Sequence, residues 1–423
     1  MSTEVKPGGG PLGTEHIGPP ENKVTSTIGH VLAGIGKNGI FIALIAVLVL
    51  FAILTINPGT GDSILLRPQN ISNLIVQNGY ILILAIGMVL VIVAGHIDLS
   101  VGSVAAFVGA MSGVFAVNMG LPWLVAIVLS LLVGAAVGAW QGFWIAYVGI
   151  PAFIVTLAGM LIFRGFALIV LNNSNIGNFP AEYRSLGNGF IELAPIDLGP
   201  RSSIDLVTLA VGAIAIIGLF VQQFRTRLGR TKYGQDVEPI GFFIGKLVLI
   251  SVGIALFFYS LAAAKGIPVT LIILGILVLI YTTVANRTVF GRHVFAIGGN
   301  RHAAELSGVK TRSVDFWLFV NMGVLAAIAG IVFTARLNVA GPQAGQGFEL
   351  EAISAAFIGG AAVQGGIGTI GGAIIGGFII GVLNNGMSIL GIGSDYQQTV
   401  KGLVLLLAVA FDVYSKRRSG GGR

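Results

Sequence analysis

The feature that most limits what this chain can become is a recurrence of apolar runs, each near the roughly 20 residues a helix needs to cross about 30 Å of hydrocarbon. They fall at Gly39–Ile56, Leu74–Gly95, Val101–Asn118, Trp123–Val148, Ala152–Leu171, Ile204–Gln222, Leu247–Ala264, Ile267–Thr283, Phe316–Ala335, Leu350–Val363, Gly368–Leu390 and Val400–Tyr414. Lipid satisfies no backbone polar group, so runs of this kind cross as helices. Charged residues are 10% of the chain, against about 25% in soluble domains, too few to clothe a water-facing surface. The expected fold is an all-α integral membrane protein, a polytopic bundle of about 10–12 transmembrane helices, some broken and glycine-rich. Leu350–Val363 is short and glycine-interrupted, which makes the last three spans the hardest to count.

The net charge of +7 does not mark a nucleic-acid partner, because the basic residues are scattered through interhelical loops rather than gathered beside stacking aromatics. They set topology instead. Arg225–Lys246 holds five Lys or Arg, Arg287–Arg312 five, and the stretch from Lys416 four, whereas the opposite loops carry Glu182, Glu192, Asp197 and Asp205. Both termini are therefore expected in the cytoplasm, which requires an even number of crossings. The expected organisation is a disordered cytoplasmic tail at 1–37 with no cleavable signal, a transmembrane domain at 38–415 and a basic cytoplasmic tail at 416–423. Within the domain, 172–203 is read as an outer loop suited to docking, 223–246 as a basic cytoplasmic loop and 285–315 as a cytoplasmic coupling loop. In that last loop Ala303, Ala304, Leu306 and Val309 alternate with Arg301, His302, Glu305 and Lys310, the pattern of a short amphipathic helix on which a partner can push.

Several residues invite a functional reading beside a structural one. Asp98 interrupts an apolar run at Gly95–Ser100, where an intramembrane acid is a candidate for gating or solute contact; alternatively it caps the helix that starts at Leu99 or Ser100. Arg164 lies midway along Ala152–Leu171 and must face protein or water, lining the pathway or pairing with Asp98 or a helix C-terminus. Asn384, Asn385, Gln397 and Gln398 place neutral amides where a polyol could slide past, and amides also join helices. Gly366, Gly368 and Gly371 fit a dinucleotide-binding spacing but lack its strand, helix and distal acid. Repeats every four residues at Gly134, Gly138, Gly142 and at Gly368, Gly372, Gly376 are read as close helix packing. The five His residues are dispersed, the chain has no Cys, and no phosphate-cradling or metal-binding motif occurs, so neither catalysis nor a cofactor is expected.

Four stretches resemble the permease of bacterial ABC-type monosaccharide importers, the ribose/xylose branch: GHIDLSVGSVAAFVGA from Gly95, GIPAFIVTLAGMLIFRG from Gly149, TVFGRHVFAIGGNRHAAELSGVKT from Thr288, and ARLNVAGPQAGQGFELEAISAAFIGG from Ala335. The run LNNGMSILGIG from Leu383 and the segment from Asp395 continue the likeness. His96 departs from the usual GGIDLSVG form. An insertion from Arg225 to about Ile280, with Lys232-Tyr233-Gly234 and Val237-Glu238-Pro239, resembles the xylose or multiple-sugar subgroup.

The resemblance implies a homodimer in the bacterial inner membrane, two copies of a cytoplasmic ATP-binding cassette subunit, and a periplasmic or lipid-anchored sugar-binding protein. It also implies that Gly291, Gly298, Gly299, Asn300, Glu305 and Gly308 seat in the ATPase and couple its closure to the bundle. An ion-coupled secondary sugar transporter is the first rival, and it needs intramembrane acids, of which Asp98 alone is foreseen. A membrane-embedded enzyme acting on lipid-linked sugars is the second, and it needs metal-binding carboxylates.

Overall fold

The computed structural model describes residues 39–199, 202–235 and 237–419. The expected tail at 1–37 lies outside these residues, as do residues 420–423 of the expected tail 416–423, whose first four residues close a helix.

In chain order the helices are α1 (Gly39–Leu54), α2 (Pro68–Val93), α3 (Val101–Gly113, continued by a π turn to Asn118), α4 (Trp123–Phe143, continued likewise to Val148), α5 (Ala152–Leu171) and the short α6 (Ala181–Asn188). Then follow α7 (Leu206–Lys232), α8 (Ile240–Ala262), α9 (Val269–Arg287), α10 (Val289–Gly299), α11 (Arg301–Leu306), α12 (Thr311–Leu337), α13 (Phe348–Ile358), α14 (Ile370–Ile389) and α15 (Ser394–Ser419). Among the described residues, nine of these are long and apolar enough to cross a membrane, with α1 a shorter apolar helix. The polytopic, all-helical class is therefore present.

The segment Leu350–Val363 differs from a full crossing. Its helix, α13, has 11 residues and spans only about 16 Å at 1.5 Å per residue. The coil before it folds back into the bundle: the carbonyl of Ala344 accepts a 2.5 Å hydrogen bond from Arg164, well inside α5. Coil and half-helix together make one broken pass. Nine helices of membrane length, the shorter apolar α1 and this broken pass are thus present among the described residues.

Burial separates the centre from the rim. The apolar window of α2 is 89% buried, and those of α3, α12 and α14 are mostly buried, whereas those of α7 and α8 are 11% buried. Helices α7 and α8 form a peripheral hairpin held by an edge-on Phe224–Phe243 contact at 5.4 Å and by Arg227 over the Phe243 ring at 4.8 Å. The central helices approach through glycine. On α4, a side chain at Gly134, Gly138 or Gly142 would lie 2.6 Å from Gly323 O, 2.8 Å from Val320 Cα and 2.9 Å from Phe316 O respectively, all backbone atoms of α12. The four-residue repeat thus seats one backbone on another, the packing its spacing predicts. Gly376 on α14 likewise lies against the carbonyl of Ala355 in α13.

At one face three two-stranded ladders tie the loops together, pairing β1 (Ile176–Gly177) with β6 (Val339–Ala340), β2 (Phe190–Ile191) with β5 (Ile267–Pro268), and β3 (Pro195–Gly199) with β4 (Ser202–Asp205). Asp205 caps α7, accepting from Thr208 N at 3.0 Å and Ala194 N at 2.9 Å. At the other face lie α10 and α11.

Candidate functional site

Two polar centres stand out, one inside the bundle and one beneath α11. The first is built on the half-helix α13. Its approach turns through Gly345 and Gly347, both with left-handed φ (73° and 76°) that an L side chain rarely adopts. A Cβ at Gly345 would overlap the Gly102 carbonyl at the start of α3. α13 therefore begins within the bundle, and its first turn carries Glu349 and Glu351, where the positive end of a helix dipole favours acids.

Glu351 accepts from Lys401 Nζ at 2.9 Å, from Asn384 Nδ2 at 3.2 Å and from the Tyr80 hydroxyl at 3.2 Å. One Glu349 carboxylate oxygen is buried with no protein partner among the described residues. This corrects the expectation that Asp98 is alone as an intramembrane acid. Glu349 and Glu351 escape a composition-based reading because they open an apolar segment and their cationic partner Lys401 is 50 residues away. The one available signal was two acids, two residues apart, directly after a glycine-rich turn.

The foreseen residues fall into different places. Asn385 and Asn70 exchange hydrogen bonds at 2.8 and 3.1 Å, joining α14 to α2. Gln397 bonds locally to Ile392 O at 2.8 Å, and Gln398 is exposed. Of the four amides, Asn384 is the one that meets the Glu351 cluster. Asp98 is 2% exposed and accepts from Ser100 N at 2.8 Å and Ser100 Oγ at 2.6 Å; Gln141 of α4 in turn donates to Ser100 Oγ at 2.7 Å. Its geometry is that of a turn holding the start of α3. Arg164 does not pair with Asp98 but with the Ala344 carbonyl, so it tethers the coil ahead of α13.

The second centre joins α11 to the core. Asn300 caps α11, accepting from Ala303 N at 2.9 Å, and Gly308 ends the segment with φ 85°. Gly291 packs on the last carbonyls of α9, and Gly298 lies against Val93 and Gly366, whereas a Cβ at Gly299 would meet nothing within 4 Å. Of the apolar residues expected on the inner side of this helix, Ala304 is buried and Val309 packs on the core; Ala303 is exposed, and Leu306 is 77% exposed. Six residues make less than two turns, too short for one continuous apolar stripe. Glu305 is engaged within its own segment, accepting from Thr311 Oγ1 at 2.9 Å and facing Arg301 at 3.6 Å.

Beneath them Asp315 of α12 is buried. It accepts from Arg301 Nη2 at 2.6 Å and meets His96 Nε2 at 3.1 Å. Sequence reasoning noticed His96 only as a departure from a motif. Asp315, Arg301 and His96 together link α11, α12 and the α2–α3 turn around a cavity of about 490 Å³. No cluster of three or more His, Asp or Glu able to hold a metal occurs among the described residues.

A bundle of apolar, glycine-seamed crossings, with a broken pass at its centre and a short helix pair standing on one face, is the architecture of a polytopic membrane permease. The family model described as branched-chain amino acid transport system / permease component matches residues 70–409, and the chain belongs to that family. It is 37% identical over 379 residues to the xylose transport system permease protein XylH of Haemophilus influenzae, covering 90% of this chain and 97% of that one. It is 36% identical over 380 residues to the XylH of Escherichia coli K12 (90% and 93% covered). Similarity to the ribose import permease protein RbsC of the same strain is 34% over 371 residues (88% and 92% covered). No solved structure gives a significant match.

Proposed function

We propose that this chain is the membrane-spanning subunit of an ATP-driven, binding-protein-dependent importer of monosaccharides, of the xylose type, working as a homodimer in the bacterial inner membrane. The observation that carries the reading is the near full-length identity to permeases named for xylose and ribose transport. In this reading the α10–α11 face is cytoplasmic and receives two ATP-binding cassette subunits. The β-laddered face is outward and receives a periplasmic or lipid-anchored sugar-binding protein, with the 172–203 loop as part of the seat. The charge distribution supports this orientation.

The exposed Leu306, presented on a capped helix, supplies an apolar anchor for the ATPase. The Arg301–Asp315–His96 linkage supplies a stiff connection from there to α12 and the α2–α3 turn. Closure of the ATPases would displace α10–α11 as a unit, and the broken pass, whose coil lacks helical hydrogen bonds, would be the part that yields. Gly291, Gly298, Gly299, Asn300, Glu305 and Gly308 belong to this coupling element. Asp98, Arg164 and Asn384 act by holding the ends of the elements that move.

One observation favours the rival ion-coupled transporter: the intramembrane carboxylates Glu349 and Glu351. The two readings part in liposomes. With ATPase and loaded binding protein, xylose accumulates only when ATP is present. Accumulation by this chain alone under a proton or sodium gradient overturns the importer reading.

A further inference from the structure

At the laddered face a cavity of about 610 Å³ opens between the loop after α5 and the coil that leads into α13, within the roughly 300–1,000 Å³ of small-molecule sites. Asn173, Ser174, Asn175 and Gln343 line it, with Phe333 and Leu337 of α12 as its apolar side. The amides of Asn173, Asn175 and Gln343 bond to no other side chain or backbone group among the described residues, unlike Asn385 or Gln397. They are left free to donate and accept.

The walls are fixed in advance. Asn172 and Asn173 hold left-handed φ of 49° and 53°, the ladder pairs Ile176 with Ala340 and Gly177 with Val339, and Asn338 Oδ1 accepts from Phe179 N at 2.9 Å. The coil wall is held from behind by Arg164 on Ala344. Phe333 is itself locked edge-on against Tyr80 at 5.1 Å and Phe348 at 4.9 Å. Past that aromatic floor the space shrinks to about 10 Å³, about one water-sized sphere.

No charged side chain lines this cup; three neutral amides do, with the Ser174 hydroxyl, which donates to the Leu171 carbonyl at 2.8 Å and is left to accept, and the Phe333 ring closes it. That combination matches a neutral ring bearing several hydroxyls and an apolar C–H face. Resting on the importer reading, we infer that this cup is a receiving site for one monosaccharide on the permease itself, where the solute waits above Phe333 before the floor opens. Such a site binds weakly, because the amides are exposed and compete with water.

The chain has no cysteine, so Ser174→Cys places a single thiol in the cup. The purified variant in lipid nanodiscs is labelled with a small water-soluble maleimide, with and without D-xylose or D-ribose in the millimolar range. Sugar is expected to slow labelling saturably, in proportion to the occupied fraction, while an equal concentration of glycine betaine does not. Adding Gln343→Leu and Asn175→Leu to the Ser174→Cys chain is expected to abolish the protection. Unchanged labelling with every aldopentose and aldohexose overturns the inference, as does equal protection by betaine or protection that survives loss of both amides. ATP-dependent uptake by the wild-type complex without protection rejects the cup and leaves the importer reading standing; gradient-driven uptake rejects the importer reading whatever the labelling shows.

Discussion

Gly298 and its neighbour Gly299 offer a test in which one methyl group separates two outcomes. A Cβ at Gly298 would overlap the Val93 carbonyl oxygen and lie 2.6 Å from Gly366 N and 2.8 Å from Val93 C, all backbone atoms. None of these can swing aside as a side chain does. To fit the methyl, α10 must back away from the end of α2, and the Gly366 N to Val93 O hydrogen bond of 2.8 Å lies directly in the disturbed contact. Overpacking of a tight interior costs about 1–3 kcal/mol, and a buried backbone group left unpaired costs about 1–3 kcal/mol more. Gly298→Ala is therefore expected to destabilise by about 2–6 kcal/mol. At Gly299 the same methyl meets nothing, and alanine there is expected to change stability by no more than about 0.5 kcal/mol. Thermal unfolding in one detergent reads the difference, since 1 kcal/mol moves the midpoint by about 2–4 °C in domains of 150–250 residues and by about 1–2 °C in a chain of this length. Gly298→Ala should melt lower by a few degrees, roughly 2 °C or more. Two variants that melt together would refute the claim that α10 is seated on the backbone of α2.

Glu351→Gln or Lys401→Met alone leaves a mostly buried charge unpaired and should cost about 3–5 kcal/mol; the double variant should recover a large part, and strictly additive losses in a double-mutant cycle would sink the pairing. Burial pushes the Asp205 carboxyl up, but the hydrogen bonds from Thr208, Ala194 and Leu193 outweigh it and hold its pKa below 3.8. The cap's contribution is thus complete above the ordinary carboxylate range and lost as pH falls through the lowered value, so Asp205→Ala should cost about 1 kcal/mol at pH 7 and progressively less as the medium is acidified below the ordinary carboxylate range, where a difference that never diminishes would contradict the assignment. Leu306→Asp, changing a residue 77% exposed, should leave the melting midpoint in place and abolish stimulation of the partner ATPase by loaded binding protein; normal stimulation would move the coupling surface elsewhere. In intact cells an impermeant maleimide should label Ser174→Cys and spare Tyr233→Cys, and the reverse pattern would invert the topology.

The crossings were legible because membrane insertion depends on local composition, which any apolar run displays. The glycine seam of α4 was legible for the same reason, since a four-residue repeat is visible without knowing its partner. The interior acids were not. Whether Glu351 faces lipid or protein depends on where α13 begins, and that depends on Gly345 meeting Gly102 across 243 positions of chain. Asp315 was hidden likewise: at the head of an apolar helix it reads as an interfacial residue, until Arg301 and His96 close on it from two other elements. The partners of Glu305 were equally out of reach of local reading, for one of them, Thr311, lies past the turn at the head of the next helix.

The seam between α4 and α12 has a mechanical consequence. Because Gly134, Gly138 and Gly142 set one main chain directly on another, α12 is clamped from Phe316 to Ala327 by atoms that have no rotamers to relax into. A rod held in that way transmits a stroke instead of absorbing it. Asp315 and Phe333 sit 18 positions apart on that rod, about 27 Å at 1.5 Å per residue, one beneath α11 and the other lining the cup beside Asn175 and Gln343. Asp315 lies at one end of the clamped stretch and Phe333 six residues past the other, so a displacement of the clamped pair at α11 would carry the aromatic ring along with it in the same direction, as one rigid body.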